Sequence, residues 1–251
     1  MKIAEIWRYP VKSMQGEQLK QAEVGPAGIQ GDRQWAVVDA ETGVSLSAKR
    51  YPKLLTCRAT TGENAVTITL PCGRDVSAGS AEAASGLSEL LGRQVTTRSA
   101  GNNTTIQHEF PTSPTDGEGE PFLYEPGLSA FFDSVPLQML TTATLKKLTA
   151  LLPDSTIHPA RFRPNFLVEC DEIGFIENEW LAKDIVLDSL TCQVHDDTRR
   201  CIMVTMSQRE LPRDMNVIRT VLKSNEGRAG VALRTKSAAI VRSGATVNVQ
   251  S

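Results

Sequence analysis

The tripeptide Arg199-Arg200-Cys201 concentrates more chemistry than any other run in the chain. Cysteine acts as a nucleophile or metal ligand in its thiolate form, and adjacent guanidinium groups favour that form. The polar stretch His195-Asp-Asp-Thr198 precedes it. The pattern predicts a turn there and a strand from Cys201 to Met206, which leaves the Cys201 sulfur partly exposed. The same pattern suits a small buried strand residue that happens to follow two surface arginines, because free cysteine is commonly buried. Cys57, Cys72, Cys170 and Cys192 lie in or beside apolar strand patterns with no adjacent cationic pair, and read as structural. A cysteine-hydrolase dyad would need His195 or His108 beside Cys201. Six residues of extended chain span roughly 20 Å, so His195 reaches Cys201 only if the chain folds back between them.

Two further clusters carry donors. In Arg161-Phe-Arg163-Pro-Asn165, Pro164 is expected to hold Arg163 in extended backbone and so aim its guanidinium. Arginine and asparagine offer planar donors that suit a phosphate or a pterin edge. In Tyr9-Pro-Val-Lys12-Ser13 and Gly31-Asp32-Arg33, Lys12 can neutralise phosphate, Ser13 can donate a hydrogen bond and Arg33 can do both. Each cluster also reads as ordinary solvated loop or turn chemistry. No GxGxxG between strand and helix, Walker loop, GxSxG or HExxH occurs.

These groups must be positioned by a mainly β chain. Gln34–Asp39 and Val44–Ser47 read as a hairpin, with Gly43 supplying positive φ at the turn. Val66–Leu70 alternates with period two. So does the longer run Ile185–His195, whose Val186, Leu190, Cys192 and Val194 share one face. Strands are also expected at Phe166–Cys170, Ala238–Arg242 and Thr246–Val249. Helices are expected at Ala81–Leu91, stopped by Gly92, at Thr141–Leu152 with Thr141 or Thr142 as cap, and at Arg213–Lys223. Residues 100–126 are polar and rich in Gly, Pro and Thr, and read as a long loop or linker, a class that often closes over sites. The expected organisation is mainly β and barrel-like, with an N-terminal β-rich part over residues 1–95 and a larger part over 100–251.

Composition removes several function classes. The chain has 251 residues, 40% apolar and 22% charged, with 27 Lys plus Arg against 29 Asp plus Glu. That length supports a core without disulfide staples. Near-neutral charge gives no global field for nucleic acid, and the apolar content is too high for disorder. No run approaches the roughly 18–20 apolar residues of a membrane helix, and MKIAEIWRYPVKS lacks the apolar core of a signal peptide. The expectation is a cytoplasmic protein with no membrane or nucleic-acid partner. Five cysteines with irregular gaps and no CxxC argue against a disulfide framework, a zinc knuckle or an iron–sulfur cluster.

YPVKSMQG, GDRQWAVVD, LTTATL, RFRPNFLVE, Trp180 before a strand, and RRCIMVT occur in this order along nearly the whole chain. Together they resemble the MOSC family (molybdenum cofactor sulfurase C-terminal domain), in the branch with an N-terminal β-barrel domain that includes the mitochondrial amidoxime-reducing proteins. The resemblance implies a mainly β, barrel-type fold with a few helices. It implies a molybdenum cofactor (Mo-molybdopterin) and no pyridoxal phosphate. Cys201 is then the metal ligand and catalytic centre, and Lys12, Ser13, Arg33, Thr141, Thr142, Arg163, Asn165, Arg199 and Arg200 hold the cofactor. Arg199 stands where the family often has serine, which bears on substrate charge preference. The implied activity is reduction of N-hydroxylated compounds such as hydroxylamines and amidoximes, with electrons from a separate flavin or iron–sulfur reductase. The alternative within the resemblance is a carrier of the cofactor, or of sulfur as a Cys201 persulfide, without turnover.

Overall fold

The computed structural model describes residues 1–63, 65–101, 106–113, 115, 118–125, 127 and 129–250. Strands β1 (Lys2–Arg8), β2 (Glu17–Leu19), β3 (Gln21–Gly25), β4 (Gly28–Ile29) and β5 (Trp35–Asp39) open the chain. Next come β6 (Arg58–Thr61), β7 (Val66–Thr69), β8 (Asp75–Ser77), helix α1 (Ala81–Leu91) and β9 (Val95–Ser99). They are followed by β10 (His108–Pro111), β11 (Pro121–Tyr124), β12 (Gln138–Thr141), α2 (Thr142–Leu151) and β13 (Phe166–Glu169). The last group is β14 (Asp184–Leu187), β15 (Leu190–Arg199), α3 (Met215–Asn225), β16 (Arg228–Thr235), β17 (Ala239–Arg242) and β18 (Val247–Val249).

One eight-stranded sheet runs in the order β18-β14-β15-β16-β12-β13-β1-β2. A bridge between Lys2 and Thr246 joins β1 to the segment entering β18, so the sheet curls back on itself as a barrel. Its interior is apolar, with Ile3, Ile6, Met139, Phe166, Ile185, Cys192 and Val231 fully buried. β3 and β4 pair with β17, and the later strands of the N-terminal part form smaller sheets, β5 with β9 and β6-β7-β8, around a second core that includes Val37, Leu54, Ile68 and Leu87. A third cluster packs α2 and α3 on the barrel through Leu148, Phe162, Leu167, Val217 and Val221.

The helices start and stop where their end residues dictate. Ser80 accepts the Ala83 amide at 3.1 Å and Gly92 takes left-handed backbone, so α1 occupies the expected span. Thr141 caps α2 by accepting the Thr144 amide, and Asp214 caps α3 by accepting the Asn216 amide.

Five expectations are corrected. Ile185–His195 is two strands, not one, because Asp188 takes left-handed backbone and Leu187 pairs with Leu190 across a two-residue turn. The turn shifts the parity, so Ile185 and Leu187 are buried where Val186 was expected. The 195–198 stretch is the end of β15, with register shifts at Val194/Asp196 and Asp197/Arg199, rather than a turn. Cys201 does not open a strand: Ile202–Thr205 is a short 3-10 turn with Cys201 at its head. Residues 100–126 contain the β10–β11 hairpin instead of a structureless loop, although 102–105, 114, 116, 117 and 126 lie outside the described residues. The Gln34–Ser47 hairpin is reduced to a turn at Gly43 with one bridge, Val38 to Ser45; β5 finds its ladder with β9.

A buried carboxylate ties three elements of the barrel. Glu177 is fully buried and accepts from Thr141 Oγ1 at 2.7 Å, Thr144 Oγ1 at 2.6 Å and the Gly230 amide at 3.1 Å. Burial raises its pKa, against the pull of those hydrogen bonds. The folded protein therefore keeps this proton to higher pH than the unfolded chain, so the stability the group contributes falls as pH rises through that window. Glu177→Ala strands three donors and is expected to cost about 3 kcal/mol, read as a lower urea midpoint.

Candidate functional site

The turn that carries Cys201 is fixed from both sides. Ile202 and Met206 belong to the N-terminal core, while Val204 belongs to the cluster beneath α3. Arg161, almost fully buried, reaches Val204 O at 3.4 Å and Pro212 O at 3.0 Å. Cys201 is thus held at the seam between the cores, partly exposed, and its sulfur makes no hydrogen bond within the described residues. It faces a cavity of about 410 Å3, a size ordinary for small-molecule sites.

Seven of the ten residues singled out from sequence line this cavity: Lys12, Ser13, Arg33, Arg163, Arg199, Arg200 and Cys201. Three stand behind its wall. Asn165 donates to Asp32 Oδ2 at 2.8 Å and Trp7 O, and its own Oδ1 accepts the Gln138 amide. Thr141 bonds Glu177 and caps α2; Thr142 exchanges hydrogen bonds with the Cys170 backbone. These side chains position the wall and are not at the cavity surface.

The backbone around the donors is unusual. Ser13, Arg33 and Arg163 take φ of 66°, 49° and 53°. Positive φ in non-glycine residues costs free energy and concentrates at functional sites. The extended geometry expected for Arg163 is therefore overturned. Its amide and that of Phe162 both bond Pro159 O, so Arg163 leaves this turn through left-handed backbone just before Pro164.

Two arginines share one aromatic ring. The Arg33 and Arg163 guanidinium carbons lie 4.4 and 4.3 Å from the centre of the Tyr9 ring. Arg163 donates to Met14 O at 2.7 Å; Arg33 pairs with the buried Asp32 carboxylate, which also accepts the Tyr9 amide. Burial, and then the neighbouring Arg33, lower Arg163 to about 10. Burial likewise brings Arg200 down to about 10, although Cys201 opposes the shift. Arg200 spends Nε on Ala229 O and Nη1 on Phe162 O and Gln138 Oε1. Its Nη2 and the hydroxyl of Thr198, both in the cavity wall, are buried with no hydrogen-bond partner among the described residues. Unpartnered buried donors are costly, and an anionic ligand can meet that demand.

A lysine pair escaped sequence reasoning in part. Asp133 bridges Lys12 and Lys49, the latter at 2.8 Å. Nothing local marks Lys49 or Asp133, since one sits in a basic run and the other after two phenylalanines. The two lysines respond differently to a shared partner. Burial dominates at Lys12 and pushes it down to about 8. Burial acts against the charge on Lys49 too, but Asp133 and Cys201 outweigh it and raise its pKa. Both lysines hold Asp133 well below the usual carboxylate range, overcoming the effect of its own burial.

The histidines stand apart from Cys201. His108 donates from Nε2 to Phe132 O at 2.9 Å, with Nδ1 on Ser45 Oγ, and burial lowers it to about 4. His195 is exposed and faces Arg234. Neither lines the cavity, so the hydrolase dyad has no geometry here. Burial pushes Cys57 and Cys170 up to about 11 and Cys192 to about 12, as structural thiols require. Cys72 is exposed rather than packed in a strand.

Two family domains match the chain: the MOSC N-terminal beta barrel domain over residues 1–106 and the MOSC domain over residues 129–248. The chain belongs to the MOSC family. Human mitochondrial amidoxime reducing component 2 is 25% identical over 81% of this MOSC chain and 66% of its own length. The molybdenum cofactor sulfurase of Danio rerio is 24% identical over 94% of this chain and 32% of its own. The chain thus spans just under two thirds of the first relative and about one third of the second. The YUAD protein of Bacillus subtilis aligns over 99% of this chain and 94% of its own with a TM-score of 0.46 and 10% identity. At the family level, named relatives are associated with the molybdenum cofactor and with amidoxime reduction.

Among the described residues of this MOSC chain, no three His, Cys, Asp or Glu side chains are grouped to hold a metal ion. No described helix is long and apolar enough to cross a membrane. The wall is suited to an anionic cofactor. It offers an open sulfur, cationic side chains from distant segments and two unpartnered donors.

Proposed function

We propose that this MOSC chain is a molybdenum-cofactor oxidoreductase that reduces small N-hydroxylated compounds with electrons from a separate flavin or iron–sulfur protein. The observation that carries this reading is the convergence of the free Cys201 sulfur with Lys12, Arg33, Arg163 and Arg200 on one cavity. Soft thiolate suits the metal, and guanidinium and ammonium donors suit the cofactor's phosphate. When bound, the cofactor supplies the two-electron chemistry that takes oxygen from an N–O bond.

The chain's own residues supply placement and charge. Cys201 would hold the metal through its sulfur, which lines the cavity. Arg33 and Arg163, held by Tyr9 and Asp32, offer a paired guanidinium surface to phosphate. Arg200 and Thr198 offer the donors that lack partners. Thr141, Thr142 and Asn165 act through the wall by holding α2, Cys170 and Asp32 in place. Lys12 and Lys49 place positive charge on the same cavity wall as the sulfur. We place the working protein in the cytoplasm, apart from membranes and nucleic acid.

Lys12 gives the cavity a pH dependence. Its charge is lost as pH rises through about 8. Between there and the ordinary lysine range the folded protein binds fewer protons than the unfolded chain, so this group's contribution to stability rises with pH. Anion binding runs the other way. Sulfate, whose charge is constant across this range, is expected to bind more weakly at pH 9 than at pH 7 by calorimetric titration, and Lys12→Met should flatten that difference.

The reading is tested by turnover. Protein loaded with cofactor should reduce hydroxylamine with a chemically reduced viologen as donor. A carrier would hold molybdenum, or sulfane sulfur on Cys201, and show no turnover; that result replaces the reductase reading.

A further inference from the structure

We propose that the outer end of this cavity selects planar, conjugated N-hydroxy compounds that carry a negative charge, the β10–β11 hairpin taking the plane and Arg199 the charge. This deepens the reductase reading and rests on it.

The hairpin places an aromatic stack on the cavity wall. Phe110 and Tyr124 are stacked, with ring centres 5.7 Å apart, and Phe122 meets Phe110 edge-on at 6.2 Å. All three line the cavity, yet Phe122 is 43% and Tyr124 38% exposed. Ring faces left open at the rim of a cavity are surface that a flat ligand can cover, and such pairings add to plain burial. The stack is close to the chemistry. Lys49 Nζ lies 3.5 Å from the centre of the Phe110 ring, and the same lysine responds electrostatically to Cys201 and to Tyr124.

Charge sets the second half of the preference. Seven cationic side chains line the cavity, against the single carboxylate of Asp133. That carboxylate is already shared by Lys12 and Lys49. Arg161 is spent on backbone carbonyls, and Arg200 is held by Ala229, Phe162 and Gln138 with only its buried Nη2 left unpartnered. Arg199 differs. Its side chain is 74% exposed, and its carboxylate partner Asp197 is 4.0 Å away, the outer limit of an ion pair. The sequence resemblance puts Arg199 among the cofactor donors; its exposure at the rim suits it better to the part of a substrate that projects from the cavity. A cationic substrate would meet mostly positive charge there, whereas a carboxylate would meet a loosely engaged guanidinium.

The experiment compares kcat/KM for hydroxylamine, benzamidoxime, its para-carboxy derivative and its para-trimethylammonio derivative, on cofactor-loaded protein with a viologen donor. The carboxylate is expected to exceed the cation by roughly tenfold, each charge contributing about threefold. Arg199→Ser should bring that ratio close to one. Phe122→Ala with Tyr124→Ala, both at exposed positions, should lower the benzamidoxime-to-hydroxylamine ratio roughly threefold to tenfold. Equal use of the charged pair by the unaltered protein, or ratios unmoved by the variants, overturns the proposal. Absence of turnover with every compound overturns the reductase reading instead. Calorimetric titration of the two charged amidoximes then decides the subsite alone: a preference for the carboxylate that Arg199→Ser removes supports it, and equal affinities overturn it.

Discussion

Cys201→Ala is expected to lower reduction of hydroxylamine by more than 100-fold while leaving the fold intact. The cysteine is partly exposed and its sulfur makes no hydrogen bond within the described residues, so truncation removes little packing and strands no partner. Surface-like substitutions of this kind stay within about 0.5 kcal/mol of the parent stability. Loss of groups that merely orient a metal's ligands commonly costs 10- to 100-fold in affinity or activity, and loss of the ligand itself should exceed that. Circular dichroism and a urea midpoint check the fold; steady-state turnover checks the activity. A variant that keeps the parent rate would remove Cys201 from the metal. Cys201→Ser keeps the volume but exchanges a soft ligand for a hard one, and should be nearly as impaired.

Gly230→Ala is expected to damage stability and site together. Gly230 takes φ of +83°, and a Cβ there would sit 2.6 Å from Met139 O and 3.0 Å from Arg200 Nη2. The first contact is backbone in the adjacent strand β12, which cannot swing away as a side chain can. Strained φ and overlap with a neighbouring strand together are expected to cost about 3 kcal/mol. The Gly230 amide also donates to Glu177, so a shift in β16 loosens the capped start of α2. Arg200 Nη2 must give by a few tenths of an ångström as well, which strains the guanidinium's hydrogen bond to Ala229 O. A lowered urea midpoint, with weaker sulfate binding measured well below that midpoint, is the expected pair of results. An unchanged midpoint would contradict the close packing of β12 and β16 at this residue.

The legible parts of this protein are those where the cause is local. Ser80 and Gly92 bound α1 because a hydroxyl and a left-handed glycine act within one turn. Val66 to Thr69 reads as a strand because one face is buried. The Asp188 turn was hidden because apolar residues on both sides keep the look of one alternating strand. The turn after Cys201 was hidden too: Ile202 and Met206 are apolar at strand-like spacing, but two separate cores claim them and Val204. Lys12, Arg33 and Cys201 were visible as chemistry in short motifs. Lys49 and Asp133 were not, because their meaning lies in an ion pair across more than 80 residues of chain. Asn165 and Thr141 carried the right chemistry in the wrong place, since only the fold reveals that their partners are Asp32 and Glu177.

The most direct test of the account is molybdenum per chain, measured by elemental mass spectrometry on protein produced in a host with intact cofactor synthesis. Near-stoichiometric metal that falls sharply in a doubly altered chain, Cys201→Ala with Arg200→Ala, is the predicted result. Folded protein without molybdenum would contradict the central claim and return Cys201 to a persulfide or purely structural role.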